Sequence, residues 1–300
     1  MSDKTVAFIG LGNLGFPIAR NLVDDGYQLK IFDLQSESDA VTDLVARGAE
    51  FAESRKRLVE GVGCVVTLLP DSEAVLDTYL GADGLLPHLA PGTRCIEMTS
   101  GYPEATRRLG TALEGIGARL IDAPICNGAV PGAYERRLVH LVGGEREDFE
   151  ACRELLGVSA RKVIHVGPLG SGHAMKTVNN SVAATFNVAV AEGLALLAAC
   201  GVPPDRAIEH LAECSINGSG FERAAEAFRR DWDAPPSFRL ALQRKDMRYA
   251  ARLAAELGLP HPVGDAAHGV LLDAERAGFG DADWSQAAFR RYGLTPTSEP

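Results

Sequence analysis

The sequence predicts an α/β domain built on a parallel sheet, followed by an all-helical domain, with the division at residues 167/168. Three observations predict it. Over the first half, short apolar runs alternate with amphipathic stretches, the pattern of βαβ units. A glycine-rich turn separates the first apolar run from the first amphipathic stretch. Beyond about Gly170 the apolar runs stop, and Ala-rich segments of 3.6-residue period take over.

The elements follow in order. "TVAFIG" is the first strand, "FPIARNLVDDG" the first helix, and "YQLKIFD" and "CVVTLLP" the next apolar runs. "RCIEM", "ARLIDAP", "LVHLVGG" and "KVIHVG" continue the series. The helical half is carried by "AAEGLALLAAC", "DRAIEHLAEC", "MRYAARLAAELG" and "GDAAHGVLLDAERAG".

The turn after the first strand reads Gly10-Leu11-Gly12-Asn13-Leu14-Gly15, a G-x-G-x-x-G pattern. Alone the pattern is weak. Here a strand precedes it, a helix follows it, and Asp33 closes the next strand 23 residues beyond Gly10. The glycines allow a tight turn and a close approach to a pyrophosphate, whose charge the helix N-terminus stabilises. Asp33 is placed to accept the adenosine ribose hydroxyls. Leu34 follows it where an arginine would hold a 2′-phosphate, so NAD is expected and NADP is not.

Composition narrows the partners. The net charge of −10 opposes binding to a phosphate backbone, so no nucleic-acid partner is expected. The six cysteines show neither a CxxC pair nor metal-ligand spacing, which predicts a reduced cytoplasmic protein without disulfides or zinc. The N-terminus does not read as a signal peptide. The longest apolar region, Asn187 to Val202, is broken by Glu192 and reads as too short to span a bilayer.

One segment carries the chemistry. "GSGHAMKTVNN" holds Lys176, and no other Asp, Glu, Arg or Lys occurs from Val166 to Ala191. A lysine amine in a sparse, neutral surround, partly removed from water, suits proton transfer. On a helix, Asn180 shares its face, with Asn179 close by. At the carboxyl ends of two strands stand Leu69-Pro70 and Thr99-Ser100, where doubly wound sheets bind ligands.

These motifs resemble the β-hydroxyacid dehydrogenases, the group of 3-hydroxyisobutyrate dehydrogenase and tartronate semialdehyde reductase. The likeness runs through "FIGLGNLGFPIA", "TLLPDSEAV", "EMTSGYPEATRRL", "DAPICNGAVPGA", "GSGHAMKTVNN", "KDM" and "GFGDADWS". It implies a Rossmann-like domain, a long interdomain helix, a helical C-terminal domain and a homodimer or homotetramer formed through the helices. It also implies that Lys176 is the catalytic acid/base, that Asn180 binds substrate, and that Ser100 and Lys245 reach the cofactor, with Asp246 beside Lys245. Cys126, Asn127 and Gly128 fall at the substrate loop, where relatives read Ser-Gly-Gly, and Arg136 stands where a glycine is usual. The same architecture is used by imine reductases and by non-catalytic dinucleotide-binding modules. Lys176 argues against the imine reductases, and the retained lysine without added basic segments argues against the modules.

Overall fold

The computed structural model describes residues 4–126 and 130–296. The chain divides into two compact units, Met1–Lys176 and Thr177–Pro300.

The first unit holds β1 (Thr5–Ile9), β2 (Gln28–Phe32), β3 (Glu50–Phe51), β4 (Cys64–Thr67), β5 (Arg94–Glu97), β6 (Arg119–Asp122), β7 (Ile125–Cys126), β8 (Leu138–Gly143) and β9 (Ala160–Gly167). They form one sheet in the order β3-β2-β1-β4-β5-β6-β8-β7, with β9 also beside β8. Helices α1 (Gly15–Asp24), α2 (Asp39–Ala46), α3 (Arg55–Val59), α4 (Ser72–Leu80), α5 (Pro103–Glu114), α6 (Val130–Tyr134) and α7 (Arg146–Gly157) alternate with the strands. β1 shows why the strands read as unbroken apolar runs. Val6 and Phe8 enter one apolar cluster with Ile18 and Leu22, while Ala7 and Ile9 enter another with Val65 and Tyr79. Both faces of the strand are buried, so no polar residue alternates along it.

The parallel expectation holds from β3 to β6, and β9 pairs parallel with β8. β8 runs antiparallel to β6 and to β7. Only residues 127–137 separate Cys126 from Leu138. A parallel crossover needs a dozen residues or more, so the chain turns back instead.

The second unit is helical. Helix α8 (Ser171–Ala199) starts in the first unit and carries the chain into the second, followed by α9 (Pro204–Leu211), α10 (Ser219–Arg229), α11 (Leu240–Glu256), α12 (Pro262–Ala274) and α13 (Trp284–Arg291). Its core packs Phe221, Phe228, Met247, Leu271 and Phe289. Asp283 caps α13 by accepting the Ser285 amide at 3.0 Å and takes the Ser237 hydroxyl at 2.7 Å. The expectation that the apolar stretch is too short for a bilayer needs correction: α8 has 29 residues and contains an 18-residue window of mean hydropathy 1.7. Two of its polar residues are tied within the second unit, however. Asn187 donates to the Ser285 carbonyl at 2.9 Å and Asn180 to Asp246 at 2.6 Å, contacts that suit the core helix of a folded unit.

Candidate active site

The glycine turn is built by close backbone approach. Gly10 has φ +93°, and a Cβ there would fall 2.2 Å from the Leu68 carbonyl oxygen. A Cβ on Gly15 would fall 1.9 Å from the Gly10 carbonyl oxygen, so helix and strand pack at this point only without side chains. Gly12 differs: a Cβ there would meet nothing within 4 Å. The open side of Gly12 and the start of α1 therefore leave room for an anion. Leu14, at the N-cap, supplies no side-chain hydrogen bond, and the first turn carries no acid. The amides of that turn are offered outward, and Asn13 beside them is exposed. Asp33 braces the turn, accepting the Leu11 amide at 2.7 Å and the Gln35 amide at 2.8 Å. Leu34 is 90% exposed and brings no cation. This cradle fits a dinucleotide.

The strand ends add a second wall in the same unit. Thr99 is fully buried, and its Oγ1 accepts the Leu69 amide at 2.9 Å. It thus acts as a brace for the Leu69-Pro70 turn. Leu69 and Ser100 are half-buried and Pro70 is exposed. Lys176 is half-buried on α8, and Cys126 is 7% exposed at the end of β7. Burial pushes the Cys126 thiol up, and the positive charge of Lys176 pulls it the other way, so the two groups sense each other. Asn127 and Gly128 lie outside the described residues.

In the second unit, Asp246 gathers two of the expected residues. Asn180, one helical turn beyond Lys176, donates Nδ2 to Asp246 Oδ2 at 2.6 Å and accepts from Asn179 Nδ2 at 3.0 Å. Lys245 Nζ lies 3.4 Å from Asp246 Oδ1 and 5.3 Å from the centre of the Tyr249 ring. Lys245 is 7% exposed, so it does not sit on a solvated face.

Three polar residues of the first unit escape a motif reading: Glu97, Asp122 and His173, all buried. Glu97 closes β5, Asp122 closes β6, and His173 lies on the first turn of α8. The available signal was an acid ending an apolar strand, in "RCIEM" and "ARLIDAP". Arg136 departs from the usual backbone. Its φ of +57° makes it the one non-glycine residue with positive φ among the described residues, and its guanidinium pairs with Asp25 at 2.6 Å.

Comparison with known proteins agrees with this geometry. Residues 5–167 match the NAD binding domain of 6-phosphogluconate dehydrogenase, and residues 170–290 match the NAD-binding domain of NADP-dependent 3-hydroxyisobutyrate dehydrogenase. The chain is 35% identical over 293 residues to the NAD-dependent L-serine dehydrogenase of Pseudomonas aeruginosa, covering 94% of this chain and 96% of that one. The chain belongs to the β-hydroxyacid dehydrogenase family. This dehydrogenase is also 34% identical to the 3-hydroxyisobutyrate dehydrogenase of P. aeruginosa, over 91% of its own length and 94% of the relative's. Its fold superposes on Mycobacterium tuberculosis 3-hydroxyisobutyrate dehydrogenase, solved with L-serine, with a TM-score of 0.84 at 28% identity, covering 96% and 99% of the two chains. It is an NAD-dependent oxidoreductase acting on CH–OH groups.

Proposed function

We propose that this dehydrogenase moves a hydride between NAD(H) and a small 3-hydroxy acid, or the matching semialdehyde, with Lys176 as general acid/base. The observation that carries the reading is Lys176 itself, half-buried on α8 with no other Asp, Glu, Arg or Lys from Val166 to Ala191. Bound NAD supplies the hydride acceptor, and NADH the donor in reverse. In oxidation, Lys176 Nζ takes the hydroxyl proton as the carbonyl forms; in reduction it returns that proton to the carbonyl oxygen. Gly10 to Gly15 and Asp33 hold the adenosine and pyrophosphate portion, Leu69, Pro70 and Ser100 line the nicotinamide portion with the buried Thr99 bracing Leu69 from behind rather than touching the cofactor, and Lys245 completes the cofactor contacts. Asn180 orients the substrate.

Cys126, Asn127 and Gly128 receive the substrate's acidic or polar group. A thiol donates poorly, and an asparagine amide offers two donors and an acceptor. A 3-hydroxy acid with a polar α-substituent, of which L-serine is the simplest, therefore suits the loop better than 3-hydroxyisobutyrate. We place the cofactor domain at residues 1–167 and the substrate and assembly domain at 168–300. The protein is read as cytoplasmic and as a homodimer or homotetramer. Met175, Val178, Val182 and Leu196 support the assembly, since they form an apolar stripe along α8 that is 50% to 64% exposed in the single chain. The test is a panel of hydroxy acids and semialdehydes with NAD(H), followed by nicotinamide absorbance. Absence of turnover across the panel would sink the substrate class.

A further inference from the structure

One buried cluster in the first unit has no part in the steps above. His173 is 0% exposed. Its Nε2 lies 3.0 Å from Glu97 Oε2, an ion-pair contact without hydrogen-bond alignment, and its Nδ1 lies 2.6 Å from Thr106 Oγ1. Asp122 accepts the Gly170 amide through Oδ1 and the His173 amide through Oδ2, each at 2.7 Å. A helix start leaves its first amides without intrahelical partners. Here a carboxylate 48 residues upstream of Gly170 caps α8.

The other oxygen of Glu97 accepts the Thr99 amide at 2.7 Å, and Thr99 in turn holds the Leu69 amide at 2.9 Å. The contacts therefore run without a break from the end of β4, through Thr99 and Glu97, to His173 on α8. The packing leaves no slack. A Cβ on Gly101 would fall 2.9 Å from His173 Cε1 and 3.2 Å from Glu97 Oε2. Burial alone would push the His173 imidazole down, but Glu97 and then Asp122 outweigh it, so the net shift is upward. Well-packed apolar residues of the same volume are often as stable as a buried ion pair. Stability alone does not call for these charges, whereas fixed geometry does.

We propose that His173 is a positioning residue: by joining Glu97 to the Asp122-capped start of α8, it sets the height and rotation of the turn carrying Lys176 relative to the strand ends at Leu69 and Thr99. The proposal rests on the reading of Lys176 as the acid/base. Lys176 follows His173 by three residues on one helix, so displacement of the first turn passes directly to the lysine amine.

The test uses the full chain with NAD and either L-serine or 3-hydroxyisobutyrate, whichever the wild type oxidises faster. His173→Asn keeps a donor near Thr106 but falls short of Glu97, whereas the longer amide of His173→Gln reaches the Nε2 position. His173→Asn is expected to lower kcat by about 10- to 100-fold while the KM for NAD stays within about 3-fold. The deuterium isotope effect on kcat, with substrate deuterated at the hydroxyl carbon, should rise because hydride transfer becomes slower. His173→Gln should recover most of the lost kcat. NADH binding and the circular dichroism spectrum should be unchanged in both. A folded His173→Asn protein with kcat within about 2-fold of wild type, beside an inactive Lys176→Ala protein, overturns the positioning role alone. A fully active Lys176→Ala protein overturns both the role and the reading beneath it. Should His173→Asn not fold, Glu97→Gln keeps the volume and removes the charge partner, and the same comparison of kcat with KM decides.

Discussion

Asp33 holds the Leu11 amide at 2.7 Å, so the carboxylate expected to read the ribose also braces the turn proposed to meet the pyrophosphate. Asp33→Ala should therefore damage the cofactor site twice over. A charge-assisted hydrogen bond is worth roughly 1.5–3 kcal/mol, so the KM for NAD should rise by about 10- to 100-fold. NADP should suffer less, because the substitution also removes a like-charge contact with the 2′-phosphate. Steady-state kinetics with both cofactors measure the ratio. A wild-type protein preferring NADP would contradict the role given to Asp33.

Lys176→Ala removes the proposed proton-transfer group and leaves the glycine turn intact. Turnover should fall by about two decades or more, and NADH should still bind, as followed by its fluorescence. Full turnover in a folded variant ends the mechanism.

Cys126→Ser combined with Asn127→Gly brings the loop to the sequence usual in relatives. Activity toward 3-hydroxyisobutyrate should rise relative to L-serine. The measurement is kcat/KM for both acids in both proteins, and an unchanged ratio would remove the loop from specificity.

His140 gives a pH dependence of stability. Its ring is fully buried, Nδ1 lies 2.9 Å from the Ala123 carbonyl, and burial pushes its pKa down to about 4 against the upward pull of that hydrogen bond. The unfolded chain takes up a proton at His140 below about pH 6.5, and the folded chain only below about 4. The contribution is thus complete above pH 6.5 and is lost as pH falls toward 4, on the order of 3 kcal/mol over the interval. His173 runs the other way, since its raised pKa adds stability at acid pH that is lost as pH rises. Urea titrations of wild type and His140→Asn across pH 4–7 isolate the first effect: the variant should show the shallower loss on acidification.

Arg136→Gly relieves a left-handed backbone worth about 1–2 kcal/mol in strain. It gives up the pair with Asp25, whose side chains are both 41% exposed and whose pairing is worth about 0–1 kcal/mol. The net expectation is a Tm equal to or a few degrees above wild type, while Arg136→Ala keeps the strain and should be the less stable of the two. Differential scanning calorimetry of the pair decides.

What could be read in advance is what local backbone chemistry dictates. Gly10, Gly12 and Gly15 share one turn, and Lys176 and Asn180 share one helix, so short spacing carried both patterns. The βαβ alternation was equally visible because burial on both faces leaves unbroken apolar runs. The clamp of Glu97, Asp122 and His173 was not, because its members lie 25 to 76 residues apart along the chain and nothing periodic links them. The left-handed Arg136 was also hidden, since that conformation belongs to glycine, and only the residue's departure from relatives pointed to the spot. The reversal of β8 is not legible in the sequence because the parallel pattern and a short return connection look alike in hydropathy.

β1 lies between β2 and β4 in the sheet, and its partner β4 begins 55 residues after Ile9, at Cys64. During synthesis at roughly 5–20 residues per second, the first strand made waits about 3–11 s before its second edge can be covered. The segment left exposed meanwhile is apolar on both faces. An uncovered apolar strand edge is a site of mispairing, so growth of the nascent chain opens a period of aggregation hazard at the strand that leads into the glycine turn.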